Sequence, residues 1–120
     1  MMIAVPIDDI KQDPDVAVSF GRAQSFYLYN AEDKSTRTIE NAAAASVGGA
    51  GIQAAQLLVD HGVTAVVTPR CGKNAANILL AAGVKLLKAA PGLNAKANVA
   101  LAANGELEEL TAIHEGFHGH

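Results

Sequence analysis

The stretch that decides the fold runs from Val63 to Lys88. Val63-Thr64-Ala65-Val66-Val67-Thr68 is β-branched and apolar. Pro69-Arg70-Cys71-Gly72 breaks it, Lys73–Ala82 returns Ala, Ile and Leu at helical spacing, and Gly83 stops the helix. Val84-Lys85-Leu86-Leu87-Lys88 is again strand-like. A β-branched run, a proline–glycine break and a helix closed by glycine read as strand, turn, helix, strand. Two strands joined through a helix lie parallel in one sheet, so this segment predicts an α/β domain.

The pattern extends in both directions. Ala95–Ala103 reads as a further helix ended by Asn104-Gly105, and Glu106–Leu110 as one added helical turn. Upstream, Gly51–His61 is a helix with Ile52, Ala55, Gln56 and Val59 at helical spacing and Gly62 as its stop. Ser25–Asn30 and Ser35–Glu40 flank the polar turn Ala31-Glu32-Asp33-Lys34 and read as a hairpin. Met2–Ile7 is a short buried strand, and the Asp-rich residues 8–19, with Pro14, are a loop. The order β, β-hairpin, α, β, α, β, α makes the sheet mixed. One domain over residues 1–112 is expected, followed by a flexible His-containing tail at 113–120.

Composition bounds the function. The chain has 120 residues, half of them hydrophobic but only 4% aromatic, so the core must be built from Val, Ile, Leu and many Ala. Its single cysteine excludes an internal disulfide and points to a reducing cytoplasm. No apolar run is long enough for a signal peptide or a membrane span, and the net charge of −3 argues against a nucleic-acid partner. The charge is unevenly placed. From His61 to Gly105 there is no Asp or Glu, yet the span holds Arg70, Lys73, Lys85, Lys88 and Lys96.

Three constellations bear on chemistry. Gly48-Gly49-Ala50-Gly51 opens a helix, where unpaired N–H groups and the helix dipole favour an anion and glycines let a ligand approach the backbone. Tight packing is the other reading of those glycines, since no Gly-Lys-Ser/Thr follows them. Pro69-Arg70-Cys71-Gly72-Lys73-Asn74 lies beyond the carboxyl end of a parallel strand, where α/β sheets bind ligands. Arg70, Lys73 and the helix start would lower the Cys71 pKa and make it a soft metal ligand; an ordinary thiol in a turn is the alternative. At the C-terminus His118 and His120 share a face in extended chain, and His114 lies four residues before His118. Imidazoles so spaced suit a transition metal. A carboxylate-based nuclease or hydrolase ranks last, because the second half supplies no acids to converge.

The order and spacing of these pieces resemble the dinitrogenase iron–molybdenum cofactor biosynthesis family. The resemblance rests on Ile3-Ala4-Val5-Pro6-Ile7-Asp8, Phe20-Gly21-Arg22-Ala23, Gly49-Ala50-Gly51 with Gln53–Leu58, Gly72-Lys73-Asn74-Ala75, Ala82-Gly83-Val84-Lys85 and Gly105–Leu110. It implies a ribonuclease-H-like three-layer sandwich, with a mixed five-stranded sheet and about three helices. It also implies a non-enzymatic protein that binds, carries or stores an anionic metal–sulfur cluster, either the iron–molybdenum cofactor or a related precursor. A donor or acceptor protein would be its partner. The expected site is Phe20, Gly21, Arg22, Gly49, Gly51, Arg70, Cys71, Gly72, Lys73 and Asn74, with Cys71, His118 and His120 as metal ligands. Many members have His where this chain has Ser19. A regulatory or scaffold module that binds a protein or a small phosphate-containing ligand is the competing reading.

Overall fold

The continuous apolar character of Met2–Ile7 and Val63–Thr68 follows from their place at the centre of a sheet covered on both faces. The computed structural model describes residues 1–45 and 48–111. Its elements are β1 (Met2–Ile7), β2 (Ser25–Asn30), β3 (Thr36–Glu40), a 3-10 turn (Ala42–Ala45), α1 (Ala50–Asp60), β4 (Ala65–Thr68), α2 (Lys73–Ala81), β5 (Lys85–Lys88) and α3 (Ala95–Ala103). The sheet order is β3-β2-β1-β4-β5. β2 pairs antiparallel with both β1 and β3, while β4 pairs parallel with β1 and β5. Only β2 therefore runs against the other four strands.

Side-chain alternation sorts the core into two layers. Ala4, Phe26, Leu28, Val66 and Leu86 meet α1 and α2 through Ala54, Ala55, Leu58, Ala75, Ala76 and Leu79. Ile3, Val5, Ile7, Tyr27, Ala65, Val67 and Leu87 meet α3 through Ala95, Val99 and Ala102. The helices show mostly alanine to the sheet, so they pack close to it. The connections through α1 and α2 cross the sheet in the same direction, and a common handedness places both helices on one face. α3 covers the other face.

The segment after α3 departs from expectation. Glu106–Leu110 is not helical. It lies along β5, with the Lys88 N–H donating to the Glu108 carbonyl at 2.8 Å and the Leu110 N–H to the Leu86 carbonyl at 2.9 Å. Gly105, at φ 73°, turns the chain back after α3. The open hydrogen-bonding groups of β5 then offer a ladder that a helical turn would leave to water. Leu110 is buried in the layer under α1 and α2, and Leu107 packs on the α3 side.

This topology collects the loops that carry the candidate site residues. β1, β3, β4 and β5 all point the same way, so the segments that follow them emerge at one edge of the sheet. The expected tail, with His114, His118 and His120, lies outside the described residues.

Leu110→Ala removes a buried anchor of the strip that closes the β5 edge. It should lower unfolding stability by about 2–5 kcal/mol in urea titration; an unchanged midpoint would show that the strip adds nothing to the core.

Candidate anion-binding edge

The carboxyl edge is assembled around Gly51, in the first turn of α1. A Cβ on Gly21 would lie 2.8 Å from both the Cα and the N of Gly51, so the two backbones touch with no room for a side chain between them. A Cβ on Gly51 would in turn meet the Ala75 Cβ at 3.4 Å, on the first turn of α2. The Phe20-Gly21-Arg22 loop, the start of α1 and the start of α2 are thus stacked in contact. Three motifs that are far apart in sequence become one edge.

Asn41, only 4% exposed, clamps this arrangement. Its side-chain amide donates to the carbonyls of Gly21 at 3.1 Å and Ala23 at 2.8 Å, and its Oδ1 accepts from the Ala43 N–H at 3.1 Å. Arg22 Nη1 donates to the Ala44 carbonyl at 3.1 Å, which ties the loop to the 3-10 turn. The Arg22 N–H reaches Ser19 Oγ at 3.4 Å, so Ser19 supports the bend. In the neighbouring turn, buried Thr68 donates its hydroxyl to the Arg70 carbonyl at 2.9 Å.

The helix starts differ in a way that bears on ligands. α3 is capped by Asn94, whose Oδ1 accepts from the Ala97 N–H at 2.9 Å. α1 begins after Gly49, at φ 69°, and α2 after extended Gly72, and neither start has a side-chain cap. Among the described residues, no N-cap side chain takes up their first N–H groups as Asn94 does at α3. Two positive helix ends side by side, with exposed Arg22, Arg70 and Lys73 near them, give this edge a positive character that suits an anion.

Two nominated side chains take other roles. Phe20 is 3% exposed and packs on Phe26, ring centres 5.4 Å apart, so it supports the loop from beneath and does not wall a ligand. Cys71 is 1% exposed and belongs to the core layer under α1 and α2. Its expected low pKa is corrected: burial raises the thiol from 9.0 to about 11. Desolvation outweighs the nearby cations because the sulfur faces the core while Arg70 and Lys73 face solvent. Gly49, Gly72 and Asn74 sit at the edge as expected, whereas His118 and His120 lie outside the described residues. Among the described residues no three His, Cys, Asp or Glu side chains are grouped to share a metal ion. Asn41 was not singled out by sequence, and Thr68 was noted only as the start of the Arg70–Asn74 turn. An isolated asparagine between a strand and four alanines was the available signal for the first.

The family description "dinitrogenase iron-molybdenum cofactor" matches residues 1–105. The chain belongs to this family. Among solved structures, the apo form of the orange protein (ORP) from Desulfovibrio gigas is similar at 31% identity and TM-score 0.85, over 92% of each chain. The NMR structure of a NifB-like Thermotoga protein of the DUF35 family has 31% identity and TM-score 0.79, covering 93% of this chain and 95% of that one. No curated protein matches. The family match spans all three loops of the edge and ends at Gly105, before the strip that seals β5.

Two outcomes are expected. Gly21→Ala should cost about 1–3 kcal/mol in chemical denaturation, because backbone must move to admit the methyl group; a neutral result would remove the stacked contact from the account. For Cys71, the folded thiol holds its proton while the unfolded chain ionises, so its contribution is complete below pH 9 and is lost as pH rises towards about 11. Over that window the wild type should lose stability relative to Cys71→Ala, as read by denaturant midpoints at stepped pH.

Proposed function

We propose that this protein binds and carries an anionic metal–sulfur cluster at its carboxyl edge, as a non-enzymatic cargo protein. The observation that carries this reading is the pair of adjacent helix starts without side-chain caps, knit by Gly21, Gly51 and Ala75 and flanked by Arg22, Arg70 and Lys73. The family description names the iron–molybdenum cofactor, which fits such an edge. The orange protein was solved in an apo form, a term that implies a loaded one. The sheet order with only β2 reversed supports the ribonuclease-H-like description.

In this reading backbone N–H groups and cations offset the cluster's charge, and the clamped loop keeps the edge in place before cargo arrives. His118 and His120 supply imidazole ligands from the C-terminal segment. Cys71 holds the turn from within. A donor and an acceptor protein would load and unload the cargo in a reducing compartment. Among the described residues no helix is long and apolar enough to cross a membrane.

The test is anaerobic titration with a synthetic iron–sulfur or molybdenum–iron–sulfur cluster. One equivalent of visible absorption should travel with the protein through gel filtration. The double variant Arg70→Gln, Lys73→Gln should weaken binding about tenfold or more, the pair His118→Ala, His120→Ala should alter the visible spectrum, and Cys71→Ala should leave both unchanged. If no absorption follows the protein, the carrier reading fails. Stabilisation by nucleotides in its place would favour a phosphate-binding module.

A further inference from the structure

A second concavity opens at the end of β4, between the Asp15–Val16 segment and the loop that follows β5. It encloses about 440 Å³, and Val16, Pro69, Ala90 and Leu93 give it apolar walls. Lys88 is the cation in its lining. Asp15 is the exposed acid there, and Lys11 Nζ lies 3.5 Å from its carboxylate and 3.8 Å from that of Asp9. Neither Arg22, Arg70 nor Lys73 lines this space.

Both walls are pinned by groups that have no other evident use. On one side Val16 pairs with Ile7 and Asp15 with Asn94, the Ala17 N–H donates to the Pro6 carbonyl at 2.7 Å, and the Ala95 N–H to the Pro14 carbonyl at 2.9 Å. On the other side stands Asn98, fully buried inside α3. Its Oδ1 accepts from the Ala90 N–H at 2.7 Å, and its amide donates to the carbonyls of Leu93 at 3.2 Å and Asn94 at 3.1 Å. A buried amide in a helix is tolerated only when satisfied, and the bonds of this one to Ala90 and Leu93 fix the loop while that to Asn94 holds the start of α3. The loop is thereby held open beside Pro69, with Leu93 left 44% exposed. Apolar walls of this size with one convergent charge are the make-up of a small-molecule site.

We propose that this cavity binds a small organic anion with an apolar body, an aromatic or branched aliphatic carboxylate or sulfonate. The body lies against Val16, Pro69, Ala90 and Leu93, and the anionic group meets Lys88. The walls offer no thiol or imidazole, so metal–sulfur cargo has no ligand there. The cavity adjoins the proposed cluster edge through Pro69, but none of Arg22, Arg70 and Lys73 lines it, so the two readings are tested by different side chains.

The test uses anilinonaphthalene sulfonate with the folded full-length protein, followed by fluorescence and by amide shifts in NMR spectra. One saturable equivalent should bind, with shifts confined to residues around Val16 and the loop after β5. Lys88→Gln, an exposed change, should weaken binding about tenfold through loss of a charge-assisted contact, and Ala90→Phe should fill the cavity and abolish it. Arg70→Gln should leave binding unchanged. Absence of saturable binding would overturn the proposal. So would binding indifferent to Lys88→Gln, or stoichiometric displacement of the dye by a metal–sulfur cluster. If Ala90→Phe does not fold, the Lys88→Gln and Arg70→Gln pair decides alone.

Discussion

The backbone contact between Gly21 and Gly51 is the constraint on which the edge depends. A loop that leaves the central strand β1 and a helix that follows the edge strand β3 meet with no side chain between them. Any β-carbon at Gly21 would push the loop off the helix. Because Gly51 also abuts Ala75, that displacement would pass to the start of α2. Asn41 converts a close approach into a fixed one, since its amide bonds two loop carbonyls at once.

The electrostatics of the edge follow from geometry more than from charge count. The chain is acidic overall, yet its acid-free span places Arg70 and Lys73 beside two helix starts whose N–H groups have no side-chain cap. Cys71 sits between those cations in sequence and still becomes a less acidic thiol. A covalent neighbour on a turn faces the opposite way from its flanks, so proximity in sequence is a poor guide to the field a group feels. The cavity beyond Pro69 shows the complementary case: its charges are few, and buried amide hydrogen bonds set its shape.

Much of the fold was legible in the residues. Helix stops at Gly62, Gly83 and Gly105, the hairpin turn before β3 and the β-branched run of β4 each carry a local cause. Glu106–Leu110 was misread because its character is not local: Leu107 and Leu110 suit a helical turn as well as a paired strip, and the open edge of β5 chose between them. The glycine and cation motifs of the site were visible, but their roles were only partly so. Phe20 was expected to line the site and instead supports the loop from the core. Cys71 read as a soft metal ligand of lowered pKa and is a core thiol of raised pKa.

The sequence by itself determined the element order, the alanine-built core, the acid-free span and the family pattern. These are set by side-chain chemistry over a few neighbouring residues. Only the tertiary structure decided that Gly21, Gly51 and Ala75 stack, that Asn41 locks them, that Cys71 is desolvated and that Asn98 holds a cavity open. Each of these depends on which atoms from distant segments come within contact distance. Contact distance follows from how the layers pack, which no local pattern encodes.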